Sequence, residues 1–145
     1  NMLFAETDAG FKNGRSTHSY IIRNKQGRKI FQRSFYHFEE RSVEAEIHSI
    51  VKLLQKISEL GYSKVEIRTD CKAIVTAVNS GKSSKKIDVD YLLFLLKTNS
   101  CTLVHVPRNQ NKDCDTNCRD VFKLSNMTNA RLGVRKRKTR YKHCK

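Results

Sequence analysis

The sequence predicts an α/β chain built on one mixed sheet of five strands flanked by helices, in the order βββαβααβα. Two observations predict it. The first part of the chain carries apolar and β-branched runs separated by short turn-forming segments, which reads as an antiparallel meander. Beyond it, helical and strand periodicities alternate, and parallel strands added in this way need helical crossovers.

Taken in order, residues 2–8 and 17–37 form three strands, interrupted at Lys12-Asn13-Gly14 and at Asn24-Lys25-Gln26-Gly27. From Ser42 to Leu60, apolar side chains at Val43, Ile47, Ile50, Val51, Leu54 and Ile57 recur at helical spacing, with Ser42 placed as N-cap and Gly61 as stop. Lys64 to Thr69 alternates around Val65 and Ile67 as a strand. Lys72–Val78 and Val89–Leu96 suit short helices, and Cys101–Val106 suits a fifth strand ended by Pro107. Asn111 then opens a helix expected to run to about Leu124. The pattern fails after Met127, so residues 1–126 are expected to be one catalytic domain and 127–145 a basic tail. Residues 131–145 hold eight Lys or Arg and no acid, and are expected to add affinity for a polyanion rather than catalysis.

Charge sets the partner class. Lys and Arg number 29 against 14 Asp and Glu, a net +15 that favours phosphate contacts and counterion release, although a solvated basic surface would give the same count. No run approaches the ~18 apolar residues of a membrane span, and no charged segment followed by an apolar run begins the chain. The expectation is a cytoplasmic monomer with no membrane association and no evident protein partner. Cys71, Cys101, Cys114, Cys118 and Cys144 are odd in number and irregularly spaced, which excludes a complete disulfide framework. Reduced thiols are expected, and no compact pair of zinc half-sites is formed.

Several acids stand out. Glu46 falls inside the apolar arc of the first helix, where an unpartnered carboxylate is costly; an ion pair would also satisfy it. Asp8 and Asp70 close predicted strands, the place where functional groups gather in sheets with helical crossovers, though each could equally be a turn former or an N-cap. Asp115, in the first turn of the last helix, could simply complement the helix dipole. His105, inside the fifth strand, reads as a packed structural histidine.

Together these segments resemble something specific. Met2 to Asp8 with Ala9-Gly10, Ala45-Glu46, Ile67-Arg68-Thr69-Asp70, and Val106-Pro107-Arg108-Asn109-Gln110-Asn111-Lys112-Asp113-Cys114-Asp115 are similar to the successive signatures of the type 1 ribonuclease H family, over about residues 2–124. The resemblance implies a ribonuclease H-like fold in which Asp8, Glu46, Asp70 and Asp115 are catalytic and bind two Mg²⁺ ions, with Mn²⁺ able to substitute. It implies hydrolysis of the RNA strand of an RNA–DNA hybrid, leaving 3′-hydroxyl and 5′-phosphate ends, with the hybrid recognised through RNA 2′-hydroxyls. Ala9, Gly10, Asn13, Ser42, Asn79, Arg108 and Asn109 are the candidate nucleic-acid contacts. The chain departs from the family pattern in having Ala9 before Gly10 and Ser42 where Asn is frequent. It also lacks a histidine loop after the fifth strand and a basic insertion between Gly81 and Asp88. A noncatalytic nucleic-acid-binding module, or another nuclease of this fold, is the alternative.

Overall fold

The computed structural model describes residues 2–12, 15–38, 42–131 and 142–143, with the side chains of Lys12, Phe38, Ser42, 125–131 and 142–143 outside that description. The elements are β1 (Phe4–Lys12), β2 (Arg15–Arg23), β3 (Lys29–Phe38), α1 (Ser42–Glu59), β4 (Glu66–Thr69), α2 (Lys72–Ser80), α3 (Asp90–Thr98), β5 (Thr102–His105), a 3₁₀ turn at Arg108–Gln110, α4 (Lys112–Arg131) and β6 (Lys142–His143). The sheet order is β3-β2-β1-β4-β5, with β6 pairing β1. The meander β1–β2–β3 is antiparallel, whereas β1–β4 and β4–β5 are parallel, as the helical crossovers require.

The strand period of two sends alternate residues of β1 to opposite faces. Ala5 packs in the core with Ile50, Leu53, Leu54 and Ile57 of α1, and Thr7 Oγ1 lies 2.8 Å from Ser49 Oγ of the same helix. Glu6, between them, turns to the other face and pairs with Arg23 at 3.0 Å; Arg23 also reaches Asp113 of α4 at 2.6 Å. The sheet is therefore sandwiched, with α1 on one face and α4 on the other.

Local chemistry sets the boundaries. In the β2–β3 turn, Asn24 Oδ1 accepts hydrogen bonds from the N–H groups of Gln26 and Arg28, both at 3.0 Å, and Gly27 takes φ +84°. α2 ends at Gly81, whose φ of 71° is left-handed and whose N–H bonds the Val78 carbonyl. A Cβ added at Gly81 would meet nothing within 4 Å, so the cost of Gly81→Ala is conformational alone. We expect that variant to lose ~1 kcal/mol, seen as a lower urea midpoint with an unchanged slope.

α4 is longer than its sequence pattern implied, passing Leu124 and the expected domain boundary at 126 to reach Arg131. No Gly or Pro interrupts residues 112–131, so nothing in the backbone chemistry stops the helix. Among the described residues no helix is long and apolar enough to cross a membrane.

Candidate metal centre

Three elements deliver one carboxylate each to the same point. The parallel register Phe4↔Glu66, Ala5↔Ile67 and Glu6↔Arg68 brings Asp8 of β1 and Asp70, just after β4, to a common level. Asp8 does not close its strand as the sequence pattern implied, because β2 goes on pairing with β1 as far as Lys12. Glu46 comes from the first half of α1, across the sheet end. Carboxylate oxygens of Asp8, Glu46 and Asp70 lie within 4.8 Å of one another. Asp8 and Glu46 are 1% and 0% exposed, and the Asp70 side chain 5%. Such a cluster explains the charge that α1 carries inside its apolar arc.

Four residues outside the candidate site set hold this centre in place. Thr69 Oγ1 donates to Glu46 Oε1 at 2.9 Å and accepts the Cys71 N–H at 3.1 Å. Ser49 Oγ donates to the Asp8 carbonyl at 3.2 Å, and Cys118 Sγ approaches the same oxygen at 3.5 Å. Asn111, fully buried, donates from Nδ2 to the Thr7 carbonyl at 2.7 Å and so ties the start of α4 to β1 next to Asp8. The signals for Asn111 were its place as a helix cap and its position within the Val106-to-Asp115 motif. Removing a buried partner leaves the Thr7 acceptor unsatisfied, so Asn111→Ala is expected to lose ~1–3 kcal/mol in chemical unfolding.

The electrostatics call for a cation. Burial pushes the Glu46 carboxyl well above its ordinary value, and the charges of Asp8 and Asp70 push it further, against the hydrogen bonds from Thr69 and the Ala9 backbone. A divalent ion would offset the repulsion among these three carboxylates, and their oxygens are the donors that magnesium and manganese prefer. The donor set therefore fits such ions. Cys114 and Cys118, packed near Asp8, are free thiols pushed well up by burial, which suits inert core residues rather than zinc ligands. Cys71, expected as a reduced thiol, is instead disulfide-bonded. An odd cysteine count excludes only a complete framework and leaves room for one pair.

Asp115 stands outside the three-carboxylate cluster, in the first turn of α4, with Arg119 3.4 Å from its Oδ2. Arg108, on the 3₁₀ turn, is half exposed with its Nε 3.7 Å from Asp70 Oδ2. Ala9 and Gly10 are buried in β1, beside Asp8, while Asn79 at the end of α2 and Asn109 are exposed. Asn13 and the side chain of Ser42 lie outside the described residues. His105 is exposed rather than packed, because β5 is an edge strand and its last residue leaves the helical cover.

Residues 6–121 match the reverse transcriptase-like family. The chain belongs to that family. The type 1 ribonuclease H resemblance of its motifs is borne out within it, and the mixed five-stranded sheet with its helices is the expected fold. No curated protein matches the chain. Among solved structures, LC11-RNase H1 in complex with RNA/DNA hybrid is similar at TM-score 0.74 and 18% identity, covering 85% of this chain and 98% of that one. RNase H1 from the halophilic archaeon Halobacterium salinarum is similar at TM-score 0.72 and 14% identity, covering 85% and 98%. The N-terminal RNase H domain of rv2228c from Mycobacterium tuberculosis is similar at TM-score 0.70 and 16% identity, covering 83% and 98%. At such identities these relatives share the fold of the family member described above.

Proposed function

We propose that the protein is a metal-dependent endoribonuclease that hydrolyses the RNA strand of RNA–DNA hybrids. The observation that carries this reading is the buried cluster of Asp8, Glu46 and Asp70, placed where the parallel pairing of β1 with β4 ends, in a member of this family. These three would hold two magnesium or manganese ions, with Asp115 contributing from α4. The ions would supply Lewis acidity and an activated water, so that no protein nucleophile is required.

The chain's own residues supply the rest. Thr69 fixes the Glu46 carboxylate through its hydroxyl, and Ser49 and Asn111 fix the backbone on either side of Asp8. Arg108, half exposed beside Asp70, offers a guanidinium to a backbone phosphate. Asn79 and Asn109 are exposed positions for sugar or base contacts, and Ala9, Gly10, Asn13 and Ser42 remain candidate contacts around the site. The net charge of +15 supplies sequence-independent affinity. Products would carry 3′-hydroxyl and 5′-phosphate ends. The substrate complex of LC11-RNase H1 supports a hybrid as the duplex.

The test is cleavage of an end-labelled hybrid, double-stranded RNA and double-stranded DNA of one sequence, with Mg²⁺ and under reducing conditions. Cleavage confined to the RNA of the hybrid is expected. Equal cleavage of double-stranded DNA would assign another nuclease activity, and tight binding with no cleavage of any duplex would assign a noncatalytic module.

A further inference from the structure

Asp115 stands in the first turn of α4, and a helix end is where backbone bonding is least complete and fraying is expected. A carboxylate that binds a metal ion has to be held to within ~0.5 Å, so this turn needs fixing from outside the helix. Two contacts provide it. Asn111 donates from Nδ2 to the Thr7 carbonyl of β1 at 2.7 Å. Two residues before Asp115, Asp113 meets Arg23 of β2, whose Nη2 lies 2.6 Å from Asp113 Oδ2.

Arg23 is itself held rigidly. Its Nε donates to Glu6 Oε1 and its Nη1 to the Gly27 carbonyl, each at 3.0 Å, so one planar guanidinium joins β1, the β2–β3 turn and α4. The Arg23 and Glu6 side chains are 13% and 11% exposed, which spends this cation on carboxylates and closes it to a nucleic-acid phosphate. Asp113 differs from them. Its side chain is 53% exposed, with Lys29 Nζ 3.9 Å from the same Oδ2, and ion pairs open to water add little stability. What the Arg23 contact supplies is direction. Together with the Asn111 bond it gives the first turn of α4 fixed points on two strands, β1 and β2, which stops the helix from rolling about its axis. The Asp115 N–H bonds the Asn111 carbonyl at 3.2 Å, so these residues stand one turn apart on the same side of α4, and Asn111 is tied to the residue before Asp8.

We propose that Arg23 and Asp113 are positioning residues for Asp115: the Glu6–Arg23–Asp113 clamp sets the first turn of α4 so that Asp115 reaches the ions held by Asp8, Glu46 and Asp70. Neither residue touches ion or substrate. The inference rests on the reading above that Asp115 contributes to the ions, and metal binding is measured apart from cleavage so that the two can fail separately.

Mn²⁺ binding is followed by electron paramagnetic resonance, and kcat and KM on labelled hybrid in Mg²⁺, for the parent, Asp115→Asn, Asp113→Ala and Asp113→Glu. Asp113→Ala should bind its weaker Mn²⁺ ion ~10-fold less tightly, as Asp115→Asn does, and lower kcat with KM for hybrid unchanged. Its urea midpoint should stay close to the parent's, since the lost contact is open to water. Asp113→Glu keeps the charge that faces Arg23 and should recover most of the Mn²⁺ affinity. Parent-like Mn²⁺ binding by Asp113→Ala, with Asp115→Asn weakened, would overturn the clamp and leave the role of Asp115 standing. Parent-like binding by Asp115→Asn would overturn both. Weakened binding in Asp113→Ala that Asp113→Glu restores, in a parent that cuts no hybrid, would uphold the clamp and overturn the hydrolytic reading.

Discussion

Asp70→Asn is expected to keep the fold and the hybrid affinity while lowering kcat for hybrid cleavage by more than ~100-fold. Loss of even an outer-shell partner costs 10–100-fold in metal affinity or activity, and Asp70 is assigned directly to the ions. An amide of the same shape fills the same space after Thr69 but brings no charge, so the cluster loses one of the three anions that balance the ions. The variant should also relieve repulsion in the metal-free protein, because the Asp70 charge is one of the causes that raise the Glu46 carboxyl. Steady-state kinetics on labelled hybrid, with circular dichroism to verify the fold, decide the matter. A variant that turns over at the parent rate in Mg²⁺ removes Asp70 from the chemistry.

The second large effect concerns acid. His18 of β2 is fully buried, stacked on Phe35 at 4.8 Å between ring centroids, and 5.0 Å from the His48 ring. Its Nε2 lies 2.6 Å from Ser16 Oγ. Burial, and then the neighbouring His48 and His37, lower its pKa from 6.5 to about 3. The unfolded chain therefore takes up this proton near pH 6.5, while the native state refuses it until about pH 3. Stability is full above pH 6.5 and is lost as the pH falls toward 3. At ~1.4 kcal/mol per unit, this one group should remove ~3 kcal/mol between pH 6.5 and 4. Urea unfolding across that range measures it, with His18→Phe as the comparison. The phenyl ring keeps the stack on Phe35 and carries no proton, so its stability should fall less steeply with acid. Parallel profiles for the two proteins would show that His18 does not set the acid limit.

Much of this could be read before any coordinates because the informative signals are local. The periodicity of Val43, Ile47, Ile50, Leu54 and Ile57 marked α1, and the same periodicity made Glu46 stand out as a carboxylate needing company. Asp70 was visible as an acid at a strand end, whereas Asp8, read the same way, lies inside β1, whose pairing with β2 runs on to Lys12. Their meeting depends on the parallel pairing of β1 with β4, to which the motif resemblance pointed.

The remainder depends on contacts between distant residues that leave little trace in composition. Asn111 and Thr7 are far apart in the chain, and a helix-capping preference gives no hint that the amide reaches back to β1. His18 and His48 meet only because β2 and α1 share a face, so neither spacing nor residue type announces the ring cluster. β6 has two residues in a basic segment with no strand pattern, and its pairing is set by an edge of β1 that β4 leaves open. His105 misled for the opposite reason, since flanking valines suggested a packed strand but not its place at the sheet edge.

The central claim is that Asp8, Glu46 and Asp70 are built to hold divalent ions, and Mn²⁺ binding tests it without reference to any substrate. Reduced, metal-free protein and its Asp8→Asn variant are titrated with Mn²⁺ at neutral pH, and free ion is followed by electron paramagnetic resonance. The parent protein should bind Mn²⁺ and give up that ion to excess Mg²⁺, while the variant, still folded, should bind at least ~10-fold more weakly. A parent protein that takes up no Mn²⁺, or a variant that binds it as tightly, would contradict the account.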